Sequence, residues 1–177
     1  MKNLSTAIVI SMASLLASPA ATVLANNYSS SYSVEIDHQE AVMFAAALQS
    51  SSRDWLALTQ DLDRKYGQGQ IRQSTLDAAI RNARLFQDGA VKVAPFIHAK
   101  DYNAALDELD QMATAFALVR GTHRNLTREL QMLFARSSDE AEKIDIQRTR
   151  RDLDDRFNRI RTLYYGLGNL LSTGSVY

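Results

Sequence analysis

The chain has 177 residues, with 20 basic and 20 acidic side chains, three histidines and no cysteine. This balance argues against a general electrostatic affinity for nucleic acid or anionic lipid, which needs a basic surplus. The lack of cysteine excludes disulfides, thiolate metal sites and covalently attached c-type haem. We therefore expect a protein that is stabilised by packing alone and does not bind nucleic acid.

The first 25 residues have the pattern of a secretory signal peptide. Lys2 supplies a positive charge, residues 4–16 are apolar or small, and small residues lead to a cleavage position after Ala25. An uncleaved anchor is the alternative, because residues 4–25 approach the ~20 residues that a spanning helix needs. Pro19 and the hydroxyl residues favour cleavage. We predict export to the periplasm or the medium, with a flexible Ser/Tyr-rich leader at residues 26–36 and no membrane span in the mature chain.

Residues 37–171 contain four amphipathic segments. The first begins at the capping pair Asp37 and Glu40 and ends at Gly67. The second opens near Ser74, and Pro95 is expected to bend or end it. Residues at three- and four-residue steps define the inward side of each segment. They are Phe44, Leu48, Ser51, Trp55, Leu58, Leu62 and Tyr66 in the first, and Leu76, Ile80, Ala83, Phe86, Ala90 and Val93 in the second.

The third segment begins at Asp101, and the fourth begins at the capping pair Ser137 and Glu140. Their inward positions are Leu109, Met112, Phe116, Val119, His123, Leu126, Leu130 and Leu133, then Ile146, Leu153, Phe157, Ile160, Tyr164, Leu167 and Leu171. Four helices with short joins predict an all-α fold, specifically an antiparallel up-down four-helix bundle over residues 37–171 with a flexible tail at 172–177. Such an exported, cysteine-free bundle is similar in architecture alone to many periplasmic accessory proteins.

Arg120, Arg124 and Arg128 recur every four residues, so they lie along one side of the third helix. No acidic residue lies between Asp110 and Glu129. In one interpretation the arginines pair with acids of an adjoining helix. The acids available for this pairing are Asp54, Asp61, Asp63 and Asp77. In the other they form a patch for an anionic partner, such as phosphate, carboxylate, a lipid headgroup or an acidic protein surface.

Residues 147–161 carry six more arginines, which helical spacing is expected to neutralise. Acid-first pairs four residues apart are the favourable order, and the reverse order adds weaker pairs. The expected pairs are Asp152–Arg156, Asp155–Arg159, Arg148–Asp152, Arg150–Asp154 and Arg151–Asp155. We interpret this run as a solvent-exposed face.

His123 lies on the inward side of the third helix. It is interpreted either as a hydrogen-bonded core histidine or as a ligand-binding or pH-sensing residue. Non-covalent haem would need an axial histidine, with Met43 or Met112 as a conceivable second ligand. Gly121, two residues before it, is expected to mark a kink or a close helix crossing.

The sequence lacks the motifs of di-metal bundles and of two common classes of hydrolase. Glu35 and His38 form one Glu-x-x-His pair, whereas a di-metal bundle needs two such pairs and further glutamates. There is no Gly-x-Ser-x-Gly or His-Glu-x-x-His motif. We predict a non-enzymatic protein without a cofactor.

Two functions follow from these observations. The first is an exported interaction, adaptor or scaffold module of the cell envelope, which binds a protein or envelope component and is able to self-associate. The alternative is a bundle that binds a small ligand or a cofactor, such as non-covalent haem or a metal, near His123.

Overall fold

A computed structural model describes residues 36–174 of the chain. Its helices are α1 (His38–Tyr66), α2 (Gln73–His98), α3 (Tyr102–Gln111), α4 (Ala113–Arg136) and α5 (Glu140–Gly174). No strand occurs in this part of the chain, which confirms the all-α prediction. The predicted signal peptide, residues 26–35 of the predicted leader and residues 175–177 of the predicted tail lie outside the described residues. Residues 172–174, also predicted as tail, continue α5.

Two predicted helix starts are confirmed by their capping bonds. The carboxylate of Asp37 accepts hydrogen bonds from the backbone N–H groups of Gln39 and Glu40, at 2.9 and 3.2 Å. The carboxylate of Asp101 accepts one from the N–H of Ala104 at 3.1 Å. These bonds satisfy donors that the first turn of a helix leaves without an intrahelical partner. The caps therefore fix where α1 and α3 begin.

The first helix ends at Gly67 as predicted, whereas three other helix ends differ in detail from the prediction. α2 begins at Gln73 and runs through Pro95 to His98. A proline so near the end removes a single hydrogen bond from the last turns, so the helix continues past it. At the start of α5, the carboxylate of Asp139 accepts the N–H of Ala141 at 2.9 Å and takes the capping role predicted for Ser137.

The predicted third helix is divided into α3 and α4 at Met112. This residue keeps a right-handed helical backbone, with φ −71° and ψ −12°, so the chain does not reverse there. Met112 packs against Gly89 of α2, where a Cβ would collide with the methionine side chain. Gly121 was expected to mark a kink or a close helix crossing, but it is exposed, and apart from the backbone of its own helix and its two chain neighbours no described atom lies within 4 Å of its Cβ position. Close approaches occur instead at Gly89 and at Gly166, where a Cβ would meet the ring of Phe44.

The core forms where the inward sides of the helices meet. α1 packs against α2 and α5, and α2 packs against α3 and α4, which also contact α5. Most predicted inward residues are buried, including Trp55, Phe86 and Leu153, each 0% exposed, and the others are half-buried. Close to them, rings of α4 and α5 stack: the centroids of Phe116 and Tyr164 are 4.6 Å apart. None of the helices between residues 36 and 174 combines the length and apolar character that crossing a membrane requires.

Candidate functional site

Arg120, Arg124 and Arg128 lie on the outer surface of α4, which we call the basic face. The rise of 1.5 Å per residue separates successive arginines by about 6 Å along the helix axis. All three side chains are exposed. Within residues 36–174 none of them forms an ion pair or a hydrogen bond. The basic face therefore presents three guanidinium groups to solvent.

The acids proposed as partners for these arginines are engaged elsewhere or lie on other surfaces. Asp61 pairs with Arg64 of its own helix. Asp63 and Asp77 both accept hydrogen bonds from the side-chain amide of Gln73, at 2.9 and 3.0 Å. Asp54 lines a cleft between α1 and α5. The cross-helix pairing that would have neutralised the basic face does not form.

Glu129 is the one acid between Asp110 and Asp139, and it points inward. Its side chain is 7% exposed and accepts a hydrogen bond from the guanidinium of Arg72 at the start of α2. A helix turns by about 100° per residue, so Glu129 faces α2 while the preceding arginine faces solvent. The exposed side of α4 is thus positive and carries no carboxylate.

His123 is held against α5 as part of the core. Its side chain is 15% exposed, and its Nε2 atom lies 2.8 Å from Oδ1 of Asp154. The imidazole stacks on the ring of Phe157, with centroids 4.2 Å apart and planes at 12°. Trp55 of α1 approaches the imidazole from another side, at a centroid distance of 6.2 Å. These contacts match the interpretation of His123 as a hydrogen-bonded core residue.

The structure does not bring the conceivable haem ligands together. Met43 is 59% exposed on α1, and Met112 is buried against Gly89. Met112 is also eleven residues before His123 in sequence, which corresponds to about 16 Å along a helix. Among the described residues, no three His, Cys, Asp or Glu side chains are grouped so that they could hold a metal ion.

The arginine-rich part of α5 is less neutralised than its spacing predicted. Only the Asp152–Arg156 pair forms, at 2.8 Å, while no other expected pair is present in the described chain. Asp154 contacts His123 instead of Arg150, and Nε of Arg150 is buried without a hydrogen-bond partner in the described residues. Intrahelical spacing could not reveal this exchange, because His123 is 31 residues away in sequence.

A shallow depression lies beside Arg150 on the surface of α5. It is lined by Gln147, Arg150, Arg151 and Asp154 and has a volume of about 210 Å³.

Comparison of the chain with protein-family models, curated proteins and solved structures finds no match. Function is therefore inferred from the chain's own residues, and an all-α fold alone is a weak guide to it.

Proposed function

We propose that this protein is an exported, non-enzymatic helical module of the cell envelope that binds an anionic partner through the basic face. The observation that carries this proposal is the arrangement of Arg120, Arg124 and Arg128 on the exposed side of α4, which itself carries no carboxylate. Exposed arginines that form no ion pair attract anions, and their planar groups bind carboxylate or phosphate through paired hydrogen bonds.

The proposed architecture is an antiparallel four-helix bundle in which α3 and α4 together form the third rod. The packing of α1 on α2 and α5, and of α2 and α5 on the α3–α4 rod, supports it. The signal-peptide pattern of residues 1–25 supports export to the periplasm or the medium. A bundle of this kind would hold the basic face on a rigid helix.

The arginines are expected to orient the partner and speed its association rather than supply the whole affinity. An exposed ion pair contributes about 0.2–1 kcal/mol, so three of them give at most ~3 kcal/mol. Micromolar binding needs about 8 kcal/mol. The remainder must come from neighbouring contacts, while the charges make the encounter fast and sensitive to salt.

A small-ligand site at His123 has less support. The Nε2 atom of the imidazole is bonded to Asp154, and one face of the ring is covered by Phe157. An exogenous ligand or metal would have to displace the carboxylate before it could bind Nε2.

The test compares two triple variants with the same change in net charge. One replaces Arg120, Arg124 and Arg128 with alanine. The control replaces three exposed arginines on other helices, Arg53, Arg81 and Arg84. Each mature protein is used to capture components from its native envelope fraction, which are then identified by mass spectrometry.

We expect the basic-face variant to lose a component that the wild type and the control both retain, and salt to weaken the retained binding. Equal capture by both variants, with circular dichroism showing intact helices, would refute the proposal.

Export is tested by a separate measurement: the N-terminus of the native protein should be Asn26. A mature protein that still begins at Met1 would contradict export by cleavage.

A further inference from the structure

The seam between α4 and α5 brings a partly buried, unpaired guanidinium next to the basic face. α4 and α5 run antiparallel, as the contacts of His123 with Asp154 and of Phe116 with Tyr164 require. Thr127 lies one turn after His123 on α4, and Arg150 lies one turn before Asp154 on α5. This register places the two residues opposite each other. Both carry a buried polar atom, Oγ1 and Nε respectively, that has no hydrogen-bond partner in the described chain.

An unpaired guanidinium in this position is energetically unfavourable. A buried donor without an acceptor costs about 1–3 kcal/mol, and more when the group is charged. The carboxylate four residues along the helix, Asp154, is directed to His123. Arg151, the next residue, also forms no ion pair in the described structure and is exposed. Asp154 also lines the depression, but its Oδ1 is bonded to His123 and it forms no ion pair with Arg150 or Arg151, so an anion bound here would supply the acceptors that these two guanidinium groups lack.

We propose that Arg150, Arg151 and Gln147 form a binding site for a tetrahedral oxyanion, a phosphate monoester or a group of the same shape. Two guanidinium groups and a side-chain amide offer more N–H donors than a carboxylate with two oxygens can use. A phosphate has more acceptor oxygens and up to two negative charges near neutral pH. The depression of about 210 Å³ is several times the ~30 Å³ occupied by one water. It is smaller than the ~300–1,000 Å³ of pockets for drug-sized ligands.

This inference deepens the proposed function and rests on it, since the anionic partner would present the phosphate group that seats at Arg150. The basic face lies on the same side of the α4–α5 seam as the depression at Arg150. A surface bearing several phosphates could therefore contact both the basic face and the depression. A lipid headgroup or a phosphorylated soluble molecule would each provide this chemistry.

The direct test uses wild-type protein labelled with ¹⁵N and follows the Nε–H resonances of its arginines. Inorganic phosphate is titrated at constant ionic strength, with chloride as the comparison anion. We expect a saturable shift of the Arg150 resonance with phosphate and none with chloride. The Arg150→Lys variant identifies the Arg150 Nε–H resonance by its loss. It keeps the positive charge but lacks the planar guanidinium group with its paired N–H donors. It should bind phosphate about tenfold more weakly or worse, as expected for the loss of one charged hydrogen bond.

Arg148→Lys is the matched control, because Arg148 is exposed on the same helix and does not line the depression. Its phosphate affinity should equal that of the wild type. Vesicles of phosphatidylcholine with and without phosphatidic acid then distinguish the sources. Phosphate binding together with binding to phosphatidic acid supports a lipid headgroup, and phosphate binding alone supports a soluble phosphate group.

The site is refuted if the Arg150 resonance shows no saturable shift, or if Arg150→Lys and Arg148→Lys bind phosphate equally well. This failure is distinct from failure of the proposed function. Partner capture that depends on Arg120, Arg124 and Arg128 would stand even if phosphate did not bind at Arg150.

Discussion

His123 of α4 and Asp154 of α5 are joined by a hydrogen bond of 2.8 Å between Nε2 and Oδ1. This bond positions the imidazole, and an ionised carboxylate accepts in it the proton that Nε2 carries. It also withdraws Asp154 from Arg150, its expected partner on the same helix. One contact across the seam therefore both anchors the core histidine and leaves a guanidinium without an acid.

Asp154→Asn tests the contribution of this contact to stability. The amide keeps the size of the carboxylate but removes its charge, so the bond to His123 weakens. We expect the free energy of unfolding to fall by about 0.5–1.5 kcal/mol, the usual range for one such hydrogen bond. Asp155→Asn is the control, since Asp155 is exposed and should change stability by less than ~0.5 kcal/mol. Urea unfolding followed by circular dichroism compares them, and equal midpoints would contradict the prediction.

The helices and the core could be predicted from the sequence because their signals are local. Burial of Leu153, Phe157 and Ile160 follows from their three- and four-residue spacing, which puts them on one side of a helix. The caps at Asp37 and Asp101 depend only on residues within one turn. Where a feature depends on neighbours along the chain, the sequence pattern was enough.

Features that depend on the register between helices could not be predicted in this way. Arg72 and Glu129 are 57 residues apart in sequence, and spacing within a helix says nothing about their meeting. The same holds for Gly89 and Met112, whose contact replaces the crossing expected at Gly121. The unpaired state of the basic face is a further case, because it depends on where the acids of α1 and α2 point.

Arg72→Ala should destabilise the protein by leaving the carboxylate of Glu129 buried without its partner. The expected loss is about 1–3 kcal/mol, the cost of an unsatisfied buried acceptor. Arg64→Ala is the matched control: Arg64 and Asp61 are 71% and 59% exposed, so their pair should contribute at most ~1 kcal/mol. Chemical unfolding measures both. A loss in Arg72→Ala no larger than in Arg64→Ala would show that the buried carboxylate is satisfied in some other way.

Alanine at Gly89 and alanine at Gly121 should have opposite effects on stability. Gly121→Ala adds a methyl group in open space and should stabilise α4 by about 0.5–1 kcal/mol, because glycine is a poor helix former. Gly89→Ala should destabilise by about 1–2 kcal/mol, because its Cβ meets the side chain of Met112.

The double variant separates the collision from other causes. In a Met112→Ala background, Gly89→Ala should become neutral or stabilising, because the colliding atoms are gone. Thermal unfolding of the four proteins of this cycle measures the coupling between the two positions. If Gly89→Ala were equally destabilising in both backgrounds, the collision with Met112 would not be its cause.

Tyr164 is expected to limit stability at alkaline pH. Burial raises the pKa of its phenol above the ordinary value of 10.0, and electrostatic interaction with Asp110 and Tyr165 raises this pKa further. Its hydroxyl donates a hydrogen bond of 3.1 Å to the backbone oxygen of Leu109. The folded state therefore holds this proton more tightly than the unfolded state does. The stabilisation is complete below pH 10 and is lost as pH rises through the folded-state pKa.

Tyr164→Phe should reduce the free energy of unfolding at neutral pH by about 0.5–1.5 kcal/mol, because the bond to Leu109 is lost. Above pH 10, however, its stability should fall less steeply than that of the wild type. The difference in slope is at most ~1.4 kcal/mol per pH unit, the value for one proton. Urea unfolding at a series of alkaline pH values, together with tyrosinate absorbance of the folded proteins, measures both quantities. Parallel declines for the two proteins would show that Tyr164 does not hold its proton through folding.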